Sequence, residues 1–177
     1  MPDQTYLTKR LLLRPPKPAD AADVYRNIAD WDVVRMIARP PWPYPRSLAD
    51  EFVRTSSASV IEYKGEVIGA VGIAARSHGH NLGFWLGKRY WGQGFMTEAA
   101  AALITAFFAD VGDVALNSSY LADNPASWRV QQKLGFVQTG PCVLQIASRD
   151  AELPGVKTVL TRAEFQAAML GQASSGK

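Results

Sequence analysis

The part of the sequence best suited to chemistry is a glycine-containing turn between an apolar run and a helical run. Residues 82–86 are short, apolar and aromatic, which predicts a buried strand. Gly92 and Gly94 follow, and residues 97–110 are strong helix formers without proline or glycine. In this arrangement the free amides of the turn and the positive end of the helix dipole converge on one point. The order therefore predicts a site for a phosphate group.

Composition limits the class of protein. With 177 residues, 47% of them hydrophobic and 20% charged, the chain has the make-up of one ordinary globular domain. Its net charge of +3 comes from scattered basic residues, which argues against a nucleic-acid partner. No apolar run approaches the ~20 residues that span a bilayer, and residues 1–20 lack the apolar core of a signal peptide. The single cysteine, Cys142, cannot form an internal disulfide or make a zinc site by itself. We therefore expect a cytoplasmic protein with no metal and no membrane contact.

The rest of the chain alternates between helix and strand signals. Asp20 and Ser47 are predicted helix caps, and two β-branched runs joined at residues 64–65 predict a hairpin. Asn124 and Pro125 predict the start of a helix that ends at Gly135. These elements predict a mixed α/β fold, with a mostly antiparallel sheet of six or seven strands. The predicted helices lie near residues 21–28, 32–38, 47–53, 97–110, 125–134 and 163–170, and the strands near 6–14, 59–63, 66–74, 82–86, 114–121, 136–146 and 156–161.

Three segments together resemble one known family. The first is Thr8-Lys-Arg-Leu-Leu-Leu-Arg14-Pro-Pro, with Asp20 downstream. The second runs from Gly83-Phe-Trp-Leu to Tyr90-Trp-Gly-Gln-Gly-Phe-Met-Thr-Glu-Ala99. The third is Asn124-Pro-Ala-Ser127 with Lys133-Leu-Gly-Phe136. Their order and spacing resemble the RimJ/RimL-like branch of the GNAT superfamily of N-acetyltransferases.

The resemblance implies a fold and an activity. It implies one GNAT acyl-CoA N-acyltransferase domain over residues 1–170, in which helices flank the sheet, and a flexible tail over residues 171–177. It also implies an acyltransferase that moves an acetyl group from acetyl-CoA directly to a primary amine in a ternary complex, without a metal. The acceptor would be a protein N-terminal α-amine or a small-molecule amine. A non-catalytic acyl-CoA-binding module is the alternative, and a monomer and a homodimer both remain open.

The phosphate turn has two possible registers. Arg89-Tyr90-Trp91-Gly92-Gln93-Gly94 matches the letters of the superfamily pattern Q/R-x-x-G-x-G/A, but a register two residues later agrees better with the branch. Backbone amides hold the phosphate, so the side chains matter little. The resemblance then assigns the pyrophosphate to the amides of Gly92, Gln93, Gly94, Phe95, Met96 and Thr97.

The strand before the turn is expected to bind the rest of the cofactor. In the family this strand bulges and separates from the next one, and the gap receives pantetheine. The resemblance implies main-chain contacts from Phe84, Trp85 and Leu86, and a side-chain contact from Asn124. An N–H aimed at the thioester carbonyl would stabilise the oxyanion of the reaction, an effect worth ~3 kcal/mol.

Candidate catalytic residues are few. Many GNAT enzymes use a tyrosine as general acid, but that register falls on Gln131, which has no titrating proton. The branch pattern points instead to Ser127, although a serine in a first helical turn can simply bond to the backbone. His80 is a candidate base because imidazole titrates near neutral pH, with His78 a weaker one. Histidines in a polar connector are also often solvated and inactive.

The acceptor site is expected in the proline-rich segment before the hairpin. Trp31, Trp42 and Tyr44 lie there, and in the family this region forms a wall of the acceptor site. Such a wall suits a peptide terminus or a flat small molecule. Simple packing of a long loop is the alternative interpretation. A nucleotide triphosphate site is disfavoured, because no Lys-Ser/Thr pair follows the turn.

Overall fold

The chain begins with a small hairpin instead of the single strand predicted for residues 6–14. In the computed structural model, which describes residues 4–77 and 79–175, β1 (Tyr6–Leu7) and β2 (Leu12–Arg14) pair antiparallel. The Thr8 N–H donates to the carbonyl oxygen of Leu11 at 2.9 Å, and the Leu11 N–H donates to Thr8 Oγ1 at 2.9 Å. These two bonds close a turn that the apolar run of leucines does not reveal.

The remaining elements follow in the predicted order. The helices are α1 (Ala21–Ile28), α2 (Trp31–Val34), α3 (Arg46–Thr55), α4 (Phe95–Val111), α5 (Pro125–Lys133) and α6 (Arg162–Ser175). The strands are β3 (Ser59–Tyr63), β4 (Glu66–Arg76), β5 (Gly79–Leu86), β6 (Leu116–Leu121), β7 (Val137–Ile146) and β8 (Ala151–Leu160). Short 3₁₀ turns lie at Pro18–Asp20, Lys88–Tyr90 and Ala147–Arg149.

The described strands form one eight-stranded sheet. Its order is β1-β2-β3-β4-β5-β6-β8-β7, and every pair is antiparallel except β5 and β6. The mixed α/β fold with a mostly antiparallel sheet is confirmed. The sheet has more strands than the six or seven predicted because the opening run is divided between β1 and β2. In the described part of the chain, no helix is both long and apolar enough to span a membrane.

Helices cover both faces of the sheet. One apolar cluster joins α4 to residues such as Leu13, Ile61 and Leu82, and the other joins α1 and α3 to Val60 and Val67. Neighbouring strand residues such as Val60 and Ile61 therefore serve opposite faces, as the alternation of side chains along a strand requires. The glycine turn lies on the α4 side of this three-layer structure.

Three element boundaries differ from the prediction by four or more residues. The predicted helix over residues 32–38 ends at Val34, because residues 33–37 continue in tight turns and the carbonyl of Ala38 accepts a bond from Ala147 N–H. The last strand starts at Ala151 instead of residue 156, because its pairing with β7 continues up to the short turn that connects the two strands. The final helix extends to Ser175, so the predicted helix end at Leu170 is wrong.

Candidate active site

The two parallel strands at the centre of the sheet separate soon after they meet. β5 and β6 pair only at His80 with Leu116 and at Asn81 with Asn117. Beyond that point a side chain bridges the strands, since Ser118 Oγ donates to the carbonyl oxygen of Leu82 at 3.0 Å. In the described structure no strand pairs with the rest of β5 on this side, and a gap opens between β5 and β6.

Main-chain groups of β5 face this gap at alternate residues. Gly87 N–H donates to the carbonyl of Ile68 on β4, while the carbonyl of Leu82 points to β6. Because strand residues alternate between their two neighbours, the backbone of Phe84 and Leu86 faces the gap and that of Trp85 faces β4. The carbonyl of Leu86 accepts from Trp91 Nε1 at 2.7 Å. Phe84 therefore presents both an N–H and a carbonyl to the gap. The expected bulge is absent from the pairing with β4, whose register with β5 is continuous.

The glycine turn follows at the wide end of the gap. Gly92 and Gly94 have φ of 74° and 77°, a conformation that glycine adopts without strain. Tyr90 and Trp91 N–H groups are used inside the preceding 3₁₀ turn. In the described structure, by contrast, nothing accepts a hydrogen bond from the amides of residues 92–97. These six amides lie at the start of α4, a helix of 17 residues, and they make a site for an anion.

Helix α5 supplies the opposite side of the gap. Its cap is the predicted one, since Asn124 Oδ1 accepts from Ser127 N–H at 3.1 Å and Pro125 is the first helical residue. Gly135 ends the helix with φ of 94°. Asn124 and Ser127 both line a cleft of about 1340 Å³ that also contains the gap and the glycine turn. The structure thus brings Ser127 and the predicted cofactor residues other than Gln93 to one cavity.

Ser127 is not a free surface hydroxyl. Its Oγ accepts a hydrogen bond from Gln131 Nε2 at 3.2 Å. Gln131 is fully buried, and its Oε1 accepts from Thr158 Oγ1 on β8 at 2.6 Å. Thr158, Gln131 and Ser127 thus form a hydrogen-bonded series that runs from the sheet to the cleft. The tyrosine register is therefore occupied by a buried amide that supports Ser127 from behind.

Comparison with known proteins identifies the family. A family model described as an acetyltransferase (GNAT) domain matches residues 10–137, which is well over half of the chain. The chain belongs to the GNAT acetyltransferase family. The resemblance of the three sequence segments is thereby confirmed, and the enzyme class is that of an acyltransferase.

Solved structures of GNAT proteins share this fold. RimJ of Mycobacterium smegmatis, in complex with a CoA disulfide, has a TM-score of 0.80 at 22% identity, covering 98% of this chain and 95% of that chain. A GNAT acetyltransferase from Bacillus anthracis has a TM-score of 0.79 at 18% identity, covering 89% and 98%. The microcin C7 self-immunity acetyltransferase MccE, in complex with acetyl-CoA and AMP, has a TM-score of 0.74 at 20% identity, covering 86% and 93%.

The residues of this GNAT site fit acetyl-CoA. The row of unpartnered amides at residues 92–97 suits a pyrophosphate, and the unpaired N–H and carbonyl of Phe84 suit an amide-bearing pantetheine arm. Arg129 and Lys133 are exposed on α5 and line the same cleft, so they add positive charge for phosphates. No cluster of three or more metal-ligating side chains occurs in the described residues.

A set of contacts behind the glycine turn, made by Thr8, Arg10 and Glu98 and called the brace below, was not predicted. Glu98 accepts from Thr8 Oγ1 at 2.7 Å, from Arg10 N–H at 2.8 Å and from Arg10 Nε at 2.7 Å. Arg10 also donates from one terminal nitrogen to the carbonyl of Gln93 at 3.0 Å and lies over the Phe95 ring, 4.3 Å from its centre. The first and second sequence segments are thus one physical unit. Glu98 connects them.

We expect Glu98→Gln to weaken this brace in a pH-dependent way. Burial raises the pKa of the Glu98 carboxyl, but the hydrogen bonds and charge supplied by Thr8 and Arg10 outweigh that effect and lower it overall. A lowered pKa stabilises the fold above the unfolded pKa, and this stabilisation is lost as pH falls through the folded pKa. Because Arg10 is one-third exposed, the loss at pH 7 is about 1 kcal/mol, or roughly 2–4 °C in Tm.

Thermal unfolding between pH 7 and pH 3 measures this difference. The wild type and Glu98→Gln should differ in Tm at pH 7 and converge in acid, where both side chains are uncharged. Glu152→Gln, at an exposed position on β8, is the matched control and should follow the wild type throughout. A Tm difference for Glu98→Gln that is the same at every pH would contradict the ion-pair explanation.

The three aromatic residues predicted for the acceptor site separate into two groups. Tyr44 is buried and lines the cleft, where burial and the nearby Glu51 and Asp50 raise its pKa to about 12. Its phenol is therefore neutral at physiological pH and cannot act as a base. Trp31 and Trp42 contact each other, with ring centres 5.3 Å apart, and stand outside the residues that line the cleft.

His80 lies apart from the cleft. Its ring packs on Phe107 of α4, with the ring centres 5.0 Å apart, and its Nδ1 is buried without a hydrogen-bond partner in the described structure. It lies at the paired end of β5, on the side of the sheet that α4 covers. His78 falls outside the described residues.

The carboxylates that do line the cleft are Glu51 and Asp123, neither of which the sequence singled out. Asp123 is held by Arg149 at 2.7 Å.

Proposed function

We propose that this GNAT protein transfers the acetyl group of acetyl-CoA to a primary amine by direct attack within a ternary complex. The observation that carries the proposal is the path in one cleft from the free amides of residues 92 and 94–97, past the open backbone of Phe84, to the hydroxyl of Ser127. Bound acetyl-CoA supplies an acetyl group activated as a thioester. RimJ and MccE, which share the fold, are described in complex with a CoA disulfide and with acetyl-CoA and AMP, respectively.

Each group of residues has one task in this proposal. The amides of Gly92, Gln93, Gly94, Phe95, Met96 and Thr97 bind the pyrophosphate. The backbone of Phe84 and Leu86, with Asn124 opposite, orients the pantetheine arm. The side chain of Trp85 lies on the other face and lines the acceptor end of the cleft.

Ser127 completes the proton balance. As the C–N bond forms and the C–S bond breaks, the leaving thiolate needs a proton and the amine nitrogen loses one. Ser127 donates its hydroxyl proton towards the thiolate, and the proton released by the amine replaces it through water. The enzyme then returns to its starting state. A hydroxyl suits such a relay because it both donates and accepts.

The acceptor end of the cleft favours an amine carried on an apolar group. Its lining includes Ile28, Val33 and Met36, together with Tyr44 and Trp85. Charged lining is sparse there, with Glu51 and Arg39 of opposite sign. We infer that a peptide α-amine or an aromatic or aliphatic monoamine is a better acceptor than a polyamine, which needs several carboxylates. Trp31 and Trp42 lie outside this lining, where they would reach only a long acceptor such as a protein.

Two measurements test the proposal. Calorimetry should show binding of acetyl-CoA and no comparable binding of ATP. Release of free thiol should then require an amine, compared across peptides with free and blocked N-termini, small monoamines and a polyamine. The glutamine in the tyrosine register favours one competing function, a non-catalytic acyl-CoA-binding module. Binding of acetyl-CoA without thiol release for any amine would establish that alternative, and preference for ATP would overturn the cofactor assignment.

A further inference from the structure

A fully buried glutamine behind the proposed proton donor has no simple packing role. Gln131 has no exposed surface, although a polar side chain is costly to bury unless its hydrogen bonds are made. Leucine or methionine would fill the same space without that cost. The glutamine makes one side-chain bond to Ser127 and one to Thr158. It therefore holds a defined orientation in the interior.

The two hydrogen bonds fix which group donates and which accepts in the series Thr158, Gln131 and Ser127. Thr158 Oγ1 donates to Gln131 Oε1 at 2.6 Å, which directs the amide nitrogen to Ser127. The nitrogen donates to Ser127 Oγ at 3.2 Å, so the serine oxygen is an acceptor on its buried side. A hydroxyl that accepts from behind keeps its own proton for a partner in front, and the space in front of Ser127 is the cleft.

We propose that Gln131, held by Thr158, is a positioning residue that directs the hydroxyl proton of Ser127 into the cleft. The inference rests on the proposed function, in which Ser127 supplies the proton that the departing thiolate takes. Gln131 itself gives up no proton and touches no reacting atom. Its contribution is that the donor orientation of Ser127 exists before the substrate arrives, so the orientation need not be acquired during the reaction.

The surroundings of Gln131 leave its amide as the group that orients Ser127. The side-chain hydrogen bonds that involve Gln131 are those with Ser127 and Thr158. The ionisable side chains on α5 and on the elements packed against it are exposed, bonded to other partners or on the opposite face of the sheet. They are Arg129 and Lys133 on α5, Glu98 and Asp110 on α4, Tyr120 on β6, Glu152 and Lys157 on β8, and Arg162 and Glu164 on α6.

Gln131→Glu tests the proposal because glutamate has the same shape in two protonation states. A neutral carboxyl can still donate to Ser127 and accept from Thr158. An ionised carboxylate only accepts, so it draws the Ser127 proton away from the cleft. Burial without a cationic partner raises the pKa of the introduced carboxyl, so its neutral form persists to a higher pH than in solution.

The measurement is the ratio of kcat for Gln131→Glu to kcat for wild type between pH 5.5 and pH 9, with acetyl-CoA saturating. Taking a ratio removes the effect of pH on the amine itself. We expect a ratio near one in acid and a fall of about tenfold as the carboxyl ionises, with an unchanged KM for acetyl-CoA. In a Ser127→Ala background the same substitution should cause no further loss. Gln132→Glu, on the exposed side of α5, is the matched control and should give a ratio independent of pH.

A second pair of variants covers the case in which Gln131→Glu does not fold. Thr158→Val keeps the shape of the side chain and removes the bond that fixes the glutamine, so kcat should fall without a change in the Kd for acetyl-CoA. Thr158→Ser retains the hydroxyl and should restore the rate. A flat Gln131→Glu ratio, an equal loss in the Ser127→Ala background, or a wild-type rate in Thr158→Val would each overturn the proposal. Each of these outcomes can be observed only if the wild-type protein acetylates an amine. If the wild type acetylates no amine, both the proposed function and this inference are wrong.

Discussion

Ser127→Ala is expected to lower kcat by about a hundredfold and to leave the Kd for acetyl-CoA unchanged. Proton transfer by a positioned side chain contributes ~10²–10⁴-fold to a rate, and a hydroxyl relay belongs at the lower end of that range. The substitution removes only the oxygen that accepts from Gln131 and faces the cleft. Kinetics of thiol release and calorimetry with acetyl-CoA separate the two quantities.

The expected loss is specific because the helix does not depend on the Ser127 hydroxyl. The α5 cap uses the Ser127 backbone N–H and the Asn124 side chain, and alanine retains that N–H. Ser47→Ala is a suitable control, since Ser47 also lies in a first helical turn but is exposed and does not line the cleft. It should keep the wild-type kcat. A wild-type kcat in Ser127→Ala would remove Ser127 from the mechanism, and a raised Kd would make it a binding residue.

Local signals predicted much of the fold. The first strand of the hairpin at residues 64–65, Ser59–Tyr63, and the start of the second strand, Glu66, lie where the sequence predicted them. They could be predicted because a two-residue turn between β-branched runs is encoded by adjacent residues. The cap at Asn124 was predicted for the same reason. The division of residues 6–14 was missed because the turn depends on the Thr8 hydroxyl within an otherwise strand-like run. Pairing across the sheet determined the start of β8, which no local pattern marks.

The parts of the site that the sequence did not predict depend on distant residues. Thr8 and Arg10 bind Glu98 about ninety positions away, and only the folded sheet brings β1 and β2 beside the start of α4. Gln131 shows the same limit, since its partner Thr158 lies on another strand. The sequence showed that position 131 lacks the tyrosine of many GNAT enzymes, but it did not show which residues Gln131 contacts. His80 was considered for its chemistry, and the alternation of side chains along β5 places it beside α4.

Arg14→Met is expected to cost about 3–5 kcal/mol of unfolding free energy at pH 7, the usual cost of removing one partner from a buried ion pair. Arg14 bonds to both oxygens of Asp20, at 2.7 and 2.9 Å, and to Glu62 at 2.7 Å. Its side chain is only 12% exposed and that of Asp20 only 8%. Methionine keeps the apolar stem but removes the cation that bonds to both carboxylates, and the Asp20 carboxylate has little access to water. Urea unfolding gives the difference, and Arg46→Met, at an exposed pair 3.8 Å apart, should change it by less than about 1 kcal/mol.

The pH dependence of this loss identifies its cause. Burial raises the pKa of Asp20, but the bonds and charge of Arg14 and the N–H of Lys17 outweigh it and lower the pKa overall. The stability that follows is present above the unfolded pKa and is lost as pH falls through the folded one. The destabilisation of Arg14→Met should therefore shrink in acid, where the carboxyls become neutral in the variant. Adding Asp20→Asn to Arg14→Met should recover part of the loss at pH 7. A loss that is equal at pH 7 and pH 4, with no recovery in the double variant, would show that the ion pairs of Arg14 are not what stabilises β2 against β3 and the start of α1.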